Sequence, residues 1–408
     1  MRGNVQTQVF LRKFKLLFCL AFMSAWSALF LLLCPACSSD KNSGDSGAVQ
    51  VKIPWFGDQG YTQQIVSLST VQDRSSFHGS AARFYSTPSI TQKNKLNGDK
   101  PQVHWIQTAE GFYVPTDYLS LQLVTLYAHF EKLQNLDRSL GLDQKIQSWP
   151  VTQDVGVAVH EFDTKGGFQN NNASFVSGLD AFLFLPYTLD RTPLALNPGV
   201  VGHEYFHALF NQLVIKPSGL NYPGWQEPSL KSSDVSMAEE NITPFSEAVD
   251  IKKSDRDYYH EYLLRGINEG LADIWGWLYS GDPEFLNISM PHQNQRSLKA
   301  GPMMVLSISA LKNMSKGAKG LDGGVYLIGT AYARSIYNDF QNEMQKGNVN
   351  PENLKLTLRQ SLITLLTDLQ QKVQSLKDDE YLDPEFIKNN LREKLKAQKW
   401  TPVSGVVR

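Results

Sequence analysis

Cysteine is almost absent from this chain. Of 408 residues only Cys19, Cys34 and Cys37 carry a thiol, and all three fall within the first 37. The 371 residues that follow Cys37 form no disulfide among themselves and build no thiolate site, so any metal held there rests on histidine and carboxylates. An excess of one charge is also missing: Lys and Arg total 39 against 40 Asp and Glu. That removes the electrostatic footprint of a nucleic-acid binder, and no nucleic-acid partner is expected. There is no internal repeat. What is present is a hydrophobic fraction of 42%, enough for a substantial core, in a chain long enough for two domains or one large one.

The N-terminus reads as an export signal. Arg2, Arg12, Lys13 and Lys15 precede an uncharged, mostly apolar run from Leu16 to Leu33. The run ends in Leu33-Cys34-Pro35-Ala36-Cys37-Ser38, which resembles a bacterial lipoprotein cleavage site, with the small Ala36 before Cys37 as the residue to be lipidated. The other reading keeps the 18-residue run as a membrane anchor, and both place the rest of the chain outside the cytoplasm, on the cell envelope. Removing residues 1–36 takes away four basic and no acidic residues, leaving 35 against 40. Residues 37–48 have the composition of a flexible tether.

Beyond the tether, residues 49–115 alternate short apolar stretches with Gly, Pro, Asn and Asp, the pattern of strands and hairpins. Leu119, Leu123, Leu126, Phe130 and Leu133 recur at steps of four and three, which predicts a helix from Asp117 to Leu140 capped by Thr116 or Asp117. A second β-rich stretch runs over 155–185. After Pro198 the pattern turns helical, at 200–214, 262–280, 303–313, 324–340 and 353–375. Residues 376–408 read as a charged, exposed helix and tail. The expected class is α+β, with an N-terminal α+β lobe over 49–198 and a helical lobe over 199–375.

The residues that suggest chemistry lie in Val200-Val201-Gly202-His203-Glu204-Tyr205-Phe206-His207. On a helix His203 and His207 point to one side and reach one metal ion, with Glu204 beside them as a general base. Downstream, Asn268-Glu269-Gly270-Leu271-Ala272-Asp273 puts a second pair of carboxylates on one helical face. Glu269 is then the candidate third ligand, and Asp273 the candidate partner for the free ring nitrogen of a ligating histidine. Two histidines and one glutamate leave a position for water, the pattern of a catalytic zinc site. His78, His104, His129, His160 and His260 have no such pattern and read as structural.

These segments resemble the thermolysin-like zinc metallopeptidases, or gluzincins, and also the related fungalysins. Asn268-Glu269 with Asp273-Ile274 and Gly276 is similar to the second metal helix of the thermolysin-like enzymes, while His203-Glu204-Tyr205 and Glu269-Gly270 look more like fungalysin. Asn171-Asn172-Ala173-Ser174-Phe175 resembles the edge strand whose Asn-Ala segment binds the substrate main chain, and Gly323-Gly324-Val325-Tyr326 the start of a later active-site helix. The resemblance covers roughly residues 115–375. It implies a two-lobed zincin fold, zinc on His203, His207 and Glu269, and Glu204 as base. It further implies Arg296 on a substrate carbonyl, Asn172 and Ala173 on the substrate backbone, and a peptide or protein substrate cleaved internally.

The chain departs from that pattern in several places. Tyr326 stands where the family has its oxyanion-stabilising histidine, so that role falls to the Tyr326 hydroxyl or to His292. Asn197-Pro198-Gly199 stands where calcium-binding acids are expected, and no structural calcium is expected here. Residues 215–258 read as an inserted, proline-containing loop or lid. The rival reading is a surface lipoprotein that keeps a zinc site with weak or lost catalysis and acts as a binding or adhesion protein.

Overall fold

Alternation sets the first sheet. In β1 (Val49–Gly57) the side chains of Val49, Val51 and Ile53 are buried while Gln50 between them is exposed. β1 forms an antiparallel hairpin with β2 (Gly60–Leu68), in register from Val49 opposite Leu68 to Gly57 opposite Gly60. β7 (Trp105–Gln107) and β8 (Tyr113–Pro115) complete a four-stranded sheet in the order β2-β1-β8-β7. A two-stranded ribbon of β3 (Val71–Asp73) and β4 (His78–Gly79) follows the hairpin.

The second sheet, in the order β10-β11-β9-β5-β6, combines β5 (Ala82–Ile90), β6 (Leu96–Asp99), β9 (Gln153–Val157), β10 (Ala173–Val176) and β11 (Ala181–Phe184). β9 runs parallel to both neighbours, and the outer strands β6 and β10 are antiparallel to theirs. Helix α1 (Tyr118–Ser139) packs against β1, β2 and β8 of the first sheet and β5 of the second. Its N-terminus is capped by Asp117, whose carboxylate accepts from the Ser120 N–H at 2.8 Å. Leu123, Leu126, Phe130 and Leu133 are fully buried, each contributing roughly 1.5–3 kcal/mol over exposure.

The rest is helical: α2 (Pro198–Phe210), α3 (Asp255–Ser280), α4 (Ile308–Gly317), α5 (Asp322–Gln345), α6 (Pro351–Ser375) and α7 (Glu385–Ala397). The fold is therefore mixed α+β. α3 opens with a capping box between Ser254 and Asp257 and ends at Gly281, whose φ of 83° supplies the left-handed stop. The C-terminal helix is less exposed than its charge suggests. Ile387 and Leu391 are buried, and Arg392 donates to Asp339 of α5 at 2.6 and 3.0 Å. Charged residues on one face hid an apolar stripe on the other.

The computed structural model describes residues 48–397 apart from 58–59, 92–94, 147–148, 160–171, 187–190, 221–253, 300, 302–305, 318–321 and 347–349. The export signal, Cys37, nearly all of the tether, His160, Asn171 and most of the proline-containing insertion lie outside the described residues, as does the side chain of His292. The described residues fall within one compact unit. Among the described residues no helix is long and apolar enough to cross a membrane. His78, His104, His129 and His260 sit in structural contacts: His78 with the Phe84 carbonyl, His104 with Asp117, His129 against Trp55 and Tyr279, and His260 accepting from the Leu382 N–H.

Candidate metal centre

Asn197 sets where α2 begins. Its Oδ1 accepts from the N–H groups of Gly199 and Val200 at 3.0 and 3.3 Å, and Pro198 follows at the first helical position. Its Nδ2 donates to the Phe285 carbonyl at 2.8 Å and to Ser289 Oγ at 2.9 Å. The residue that stands where acids were expected is thus a cap and a crosslink. Apart from half-buried His207, every residue of α2 is buried, because the helix lies between the second sheet and α3.

α3 passes close to α2 and α5 because glycines remove the side chains between them. A β-carbon on Gly276 would lie 2.5 Å from the Gly199 carbonyl oxygen, and one on Gly270 would lie 2.3 Å from that of Gly329. A β-carbon on Gly329 would in turn lie 2.9 Å from Cβ of Glu269. Backbone contact between α3 and α5 therefore sets the depth at which Glu269 sits.

The helices bring the predicted side chains together. Nε2 of His203 and Nε2 of His207 are 3.0 Å apart. Glu269 completes the group, its Oε2 3.5 Å from the first nitrogen and its Oε1 3.7 Å from the second. Two imidazole nitrogens facing each other at that distance need a cation or a proton between them, because at most one can present a hydrogen to the other. His203, Glu204 and His207 also each offer a ligand atom within 4.8 Å of the others, so this group can hold a metal ion. Both carboxylates carry a further hydrogen bond, Glu204 Oε2 from the backbone N–H of Phe175 in β10 at 2.8 Å and Glu269 Oε2 from Arg296 at 3.2 Å.

Around this group stands a ring of supporting side chains. Asp273 Oδ1 lies 3.0 Å from Nδ1 of His203, at hydrogen-bond distance but off its preferred direction. Asn268 faces His207 and favours its charged form, yet Nδ1 of His207 and Oδ1 of Asn268 are both buried without a completed hydrogen bond. Unfinished polar groups on both histidines suit a site whose rings settle when a cation is bound. Beneath the helix, Tyr205 Oη and Trp149 Nε1 both donate to Oδ2 of Asp137 at 2.6 Å.

Arg296 was expected to meet a substrate carbonyl, and it is only 7% exposed. Its guanidinium donates to Asp273 at 2.6 and 3.3 Å and to Glu269 Oε2 at 3.2 Å, and it lies 4.5 Å from the centre of the Tyr326 ring. Tyr326 is 37% exposed, so its ring covers Arg296 while its outer part is open to solvent. Ala173 begins β10, two residues before Phe175, whose N–H meets Glu204. Asn172 is exposed, and its carbonyl accepts from the Leu185 N–H at 2.9 Å.

Burial and charge act against each other here. Burial alone would lower the pKa of His203, but Asp273 and Glu269 outweigh it and raise the value to about 9. His207 is lowered to about 4, chiefly by burial. Burial raises Glu204 to about 7. Glu269 is pulled far below the carboxylate range, because His207, His203 and Arg296 overcome its burial. Glu269 held ionised and His207 held unprotonated are ligand states a metal requires, whereas His203, raised to about 9, must give up its proton for a cation to take that place.

Two contributors had little or no signal in the sequence. Asn268 stood in the motif without a role, and the N–H of Phe175 is a backbone group that every residue except proline carries. No protein-family model matches this chain, and no curated protein matches it.

Proposed function

We propose that this chain is a zinc-dependent metallopeptidase of the thermolysin-like, gluzincin type, exported and lipid-anchored through Cys37, and that it cleaves peptide bonds within peptide or protein substrates. The observation that carries this reading is the convergence of His203, His207 and Glu269, with ligand atoms 3.0–3.7 Å apart. Tetrahedral zinc with bonds of about 2.0–2.2 Å needs ligand atoms roughly 3.3–3.6 Å apart, so the donor set fits. The β-rich half up to Pro198 and the helical half after it are read as the two lobes, with α2 at their junction.

Zinc, when bound, supplies a Lewis acid that polarises the scissile carbonyl and lowers the pKa of water toward neutrality. The chain's own residues do the rest. Glu204, steadied by the Phe175 N–H, takes a proton from the attacking water and passes it to the leaving amine. Burial raises this carboxyl, and the positive charge of a bound zinc would lower it again, keeping it ionised and able to accept the proton near neutral pH. Asp273 orients the His203 ring. Tyr326 offers its hydroxyl to the developing oxyanion.

The substrate backbone is read by β10. Asn172 turns its carbonyl toward β11, and Phe175 turns its N–H toward Glu204, so alternation directs the N–H and C=O of Ala173 outward as well. An extended peptide adds to this edge as a further strand, which favours internal cleavage. Arg296 gives Nε and Nη2 to Asp273 and Glu269, and we assign its remaining nitrogen, Nη1, to a carbonyl of the same peptide. Zinc stoichiometry tests the reading: wild type should bind one zinc and Glu269→Ala should bind it far more weakly. Equal binding by the two would remove Glu269 from the site and the reading with it.

A further inference from the structure

Arg296 sits at the end of a short 3₁₀ turn, Pro291–Arg296, after which the backbone becomes extended at Ser297. A 3₁₀ turn is short and has poorer hydrogen-bond geometry than an α-helix, which makes it a weak platform by itself for a long side chain. The backbone on either side of it is held by another arginine. Arg334 of α5 donates from Nη2 to the Gln295 carbonyl at 2.7 Å and from Nε to the Ser297 carbonyl at 2.9 Å. Arg334 is 6% exposed. The chain also makes room for it, since a β-carbon on Gly301 would lie 2.1 Å from Nη1, and Gly301 has a φ of 133°.

We infer that Arg334 is a positioning residue for Arg296: by gripping the carbonyls that flank it, Arg334 sets where the Arg296 guanidinium meets Glu269, Asp273 and the substrate. α5 then holds Arg296 twice, with the Tyr326 ring over its guanidinium and Arg334 on its backbone. The fork geometry is what the role needs. Two carbonyls two residues apart are spanned by a planar guanidinium with several donors, whereas a lysine ammonium is a single point on a flexible stem.

The inference rests on the reading that Arg296 contacts substrate, and the test separates the two. Zinc-loaded wild type, Arg296→Ala, Arg334→Lys, Arg334→Ala and the Arg296→Ala/Arg334→Ala double variant are compared on a quenched peptide. Arg334→Lys should raise KM roughly tenfold while kcat changes much less, the size expected when a hydrogen bond to a charged group is lost. The double variant should have the KM of Arg296→Ala alone. Wild-type KM in Arg334→Lys, or additive effects in the double variant, would overturn the inference.

A crystal structure of Arg334→Lys gives a readout independent of activity. The Arg296 guanidinium should be displaced from Asp273 by about 1 Å or more, beyond coordinate error, with α3 and α5 unmoved. An undisplaced Arg296 overturns the inference even if the wild type cleaves nothing. If Arg334→Ala does not fold, Arg334→Lys and Gly301→Ala, which crowds the guanidinium from outside, carry the same comparison.

Discussion

The backbone N–H of Phe175 donates to Oε2 of Glu204 across 2.8 Å, tying the outer edge of β10 to the carboxylate proposed as general base. The donor favours the ionised carboxylate and opposes the rise that burial causes. Phe175→Pro removes the N–H on an edge strand, where proline is tolerated, and Phe175→Ala keeps the N–H while losing the ring. Relative to the alanine variant, the proline variant should show kcat about tenfold lower and the acid limb of its pH–rate profile moved to higher pH. Identical profiles for the two would show that the contact does not tune Glu204.

Asp273 is shared between Nδ1 of His203 at 3.0 Å and the Arg296 guanidinium at 2.6 Å. Asp273→Asn keeps the shape and removes the charge. Zinc affinity, measured by competition with a chromophoric chelator, should fall about 10–100-fold, the usual effect of losing such a partner. An unchanged affinity would assign Asp273 to Arg296 alone.

A pH-linked effect is expected beneath the metal helix. Asp137 accepts from Tyr205 and Trp149 on one oxygen while the other is buried without a partner, and burial raises its pKa to about 7. With the folded value above the unfolded one, the native state binds more protons between about pH 4 and 7, so this carboxyl's contribution is full below pH 4 and is lost as pH rises to 7. Wild type should lose stability relative to Asp137→Asn over that window, by roughly 4 kcal/mol at most. Urea unfolding of both proteins at pH 5 and 8 reads the upper part of that window, about 2–3 kcal/mol, and parallel pH dependence would contradict the assignment.

The contact between α3 and α5 predicts a coupled loss. Gly329→Ala puts a methyl 2.9 Å from Cβ of Glu269, so the helices must separate or Glu269 must move. Unfolding stability should drop by about 1–3 kcal/mol and zinc affinity should fall with it. Loss of stability with full zinc affinity would mean that Glu269 does not depend on the crossing.

What was legible in the sequence was what side-chain identity carries. His203, His207, Glu269 and Asp273 were readable because helical spacing alone brings i and i+4 to one face, and Asp117 was readable as a cap for the same local reason. The N–H of Phe175 was not, because any residue but proline supplies one. Arg334 was not, because its partners are carbonyls 37 and 39 residues away that leave no mark in composition. The buried stripe of α7 was hidden by the charges on its other face. Asn197 stood out as a departure from an expected pattern, and only its contacts with Phe285 and Ser289 explain it.

The central claim is peptide-bond hydrolysis that depends on Glu204 at a site built from His203, His207 and Glu269. The most direct test loads the chain beyond Cys37 with one equivalent of zinc and measures cleavage of an unfolded protein, beside Glu204→Gln carrying the same zinc. Cleavage by the wild type is expected, with a rate about 10²–10⁴-fold lower in the variant and zinc content equal in both. One zinc in each and no wild-type cleavage above the variant would contradict it, and would leave a metal-bearing binding protein in its place.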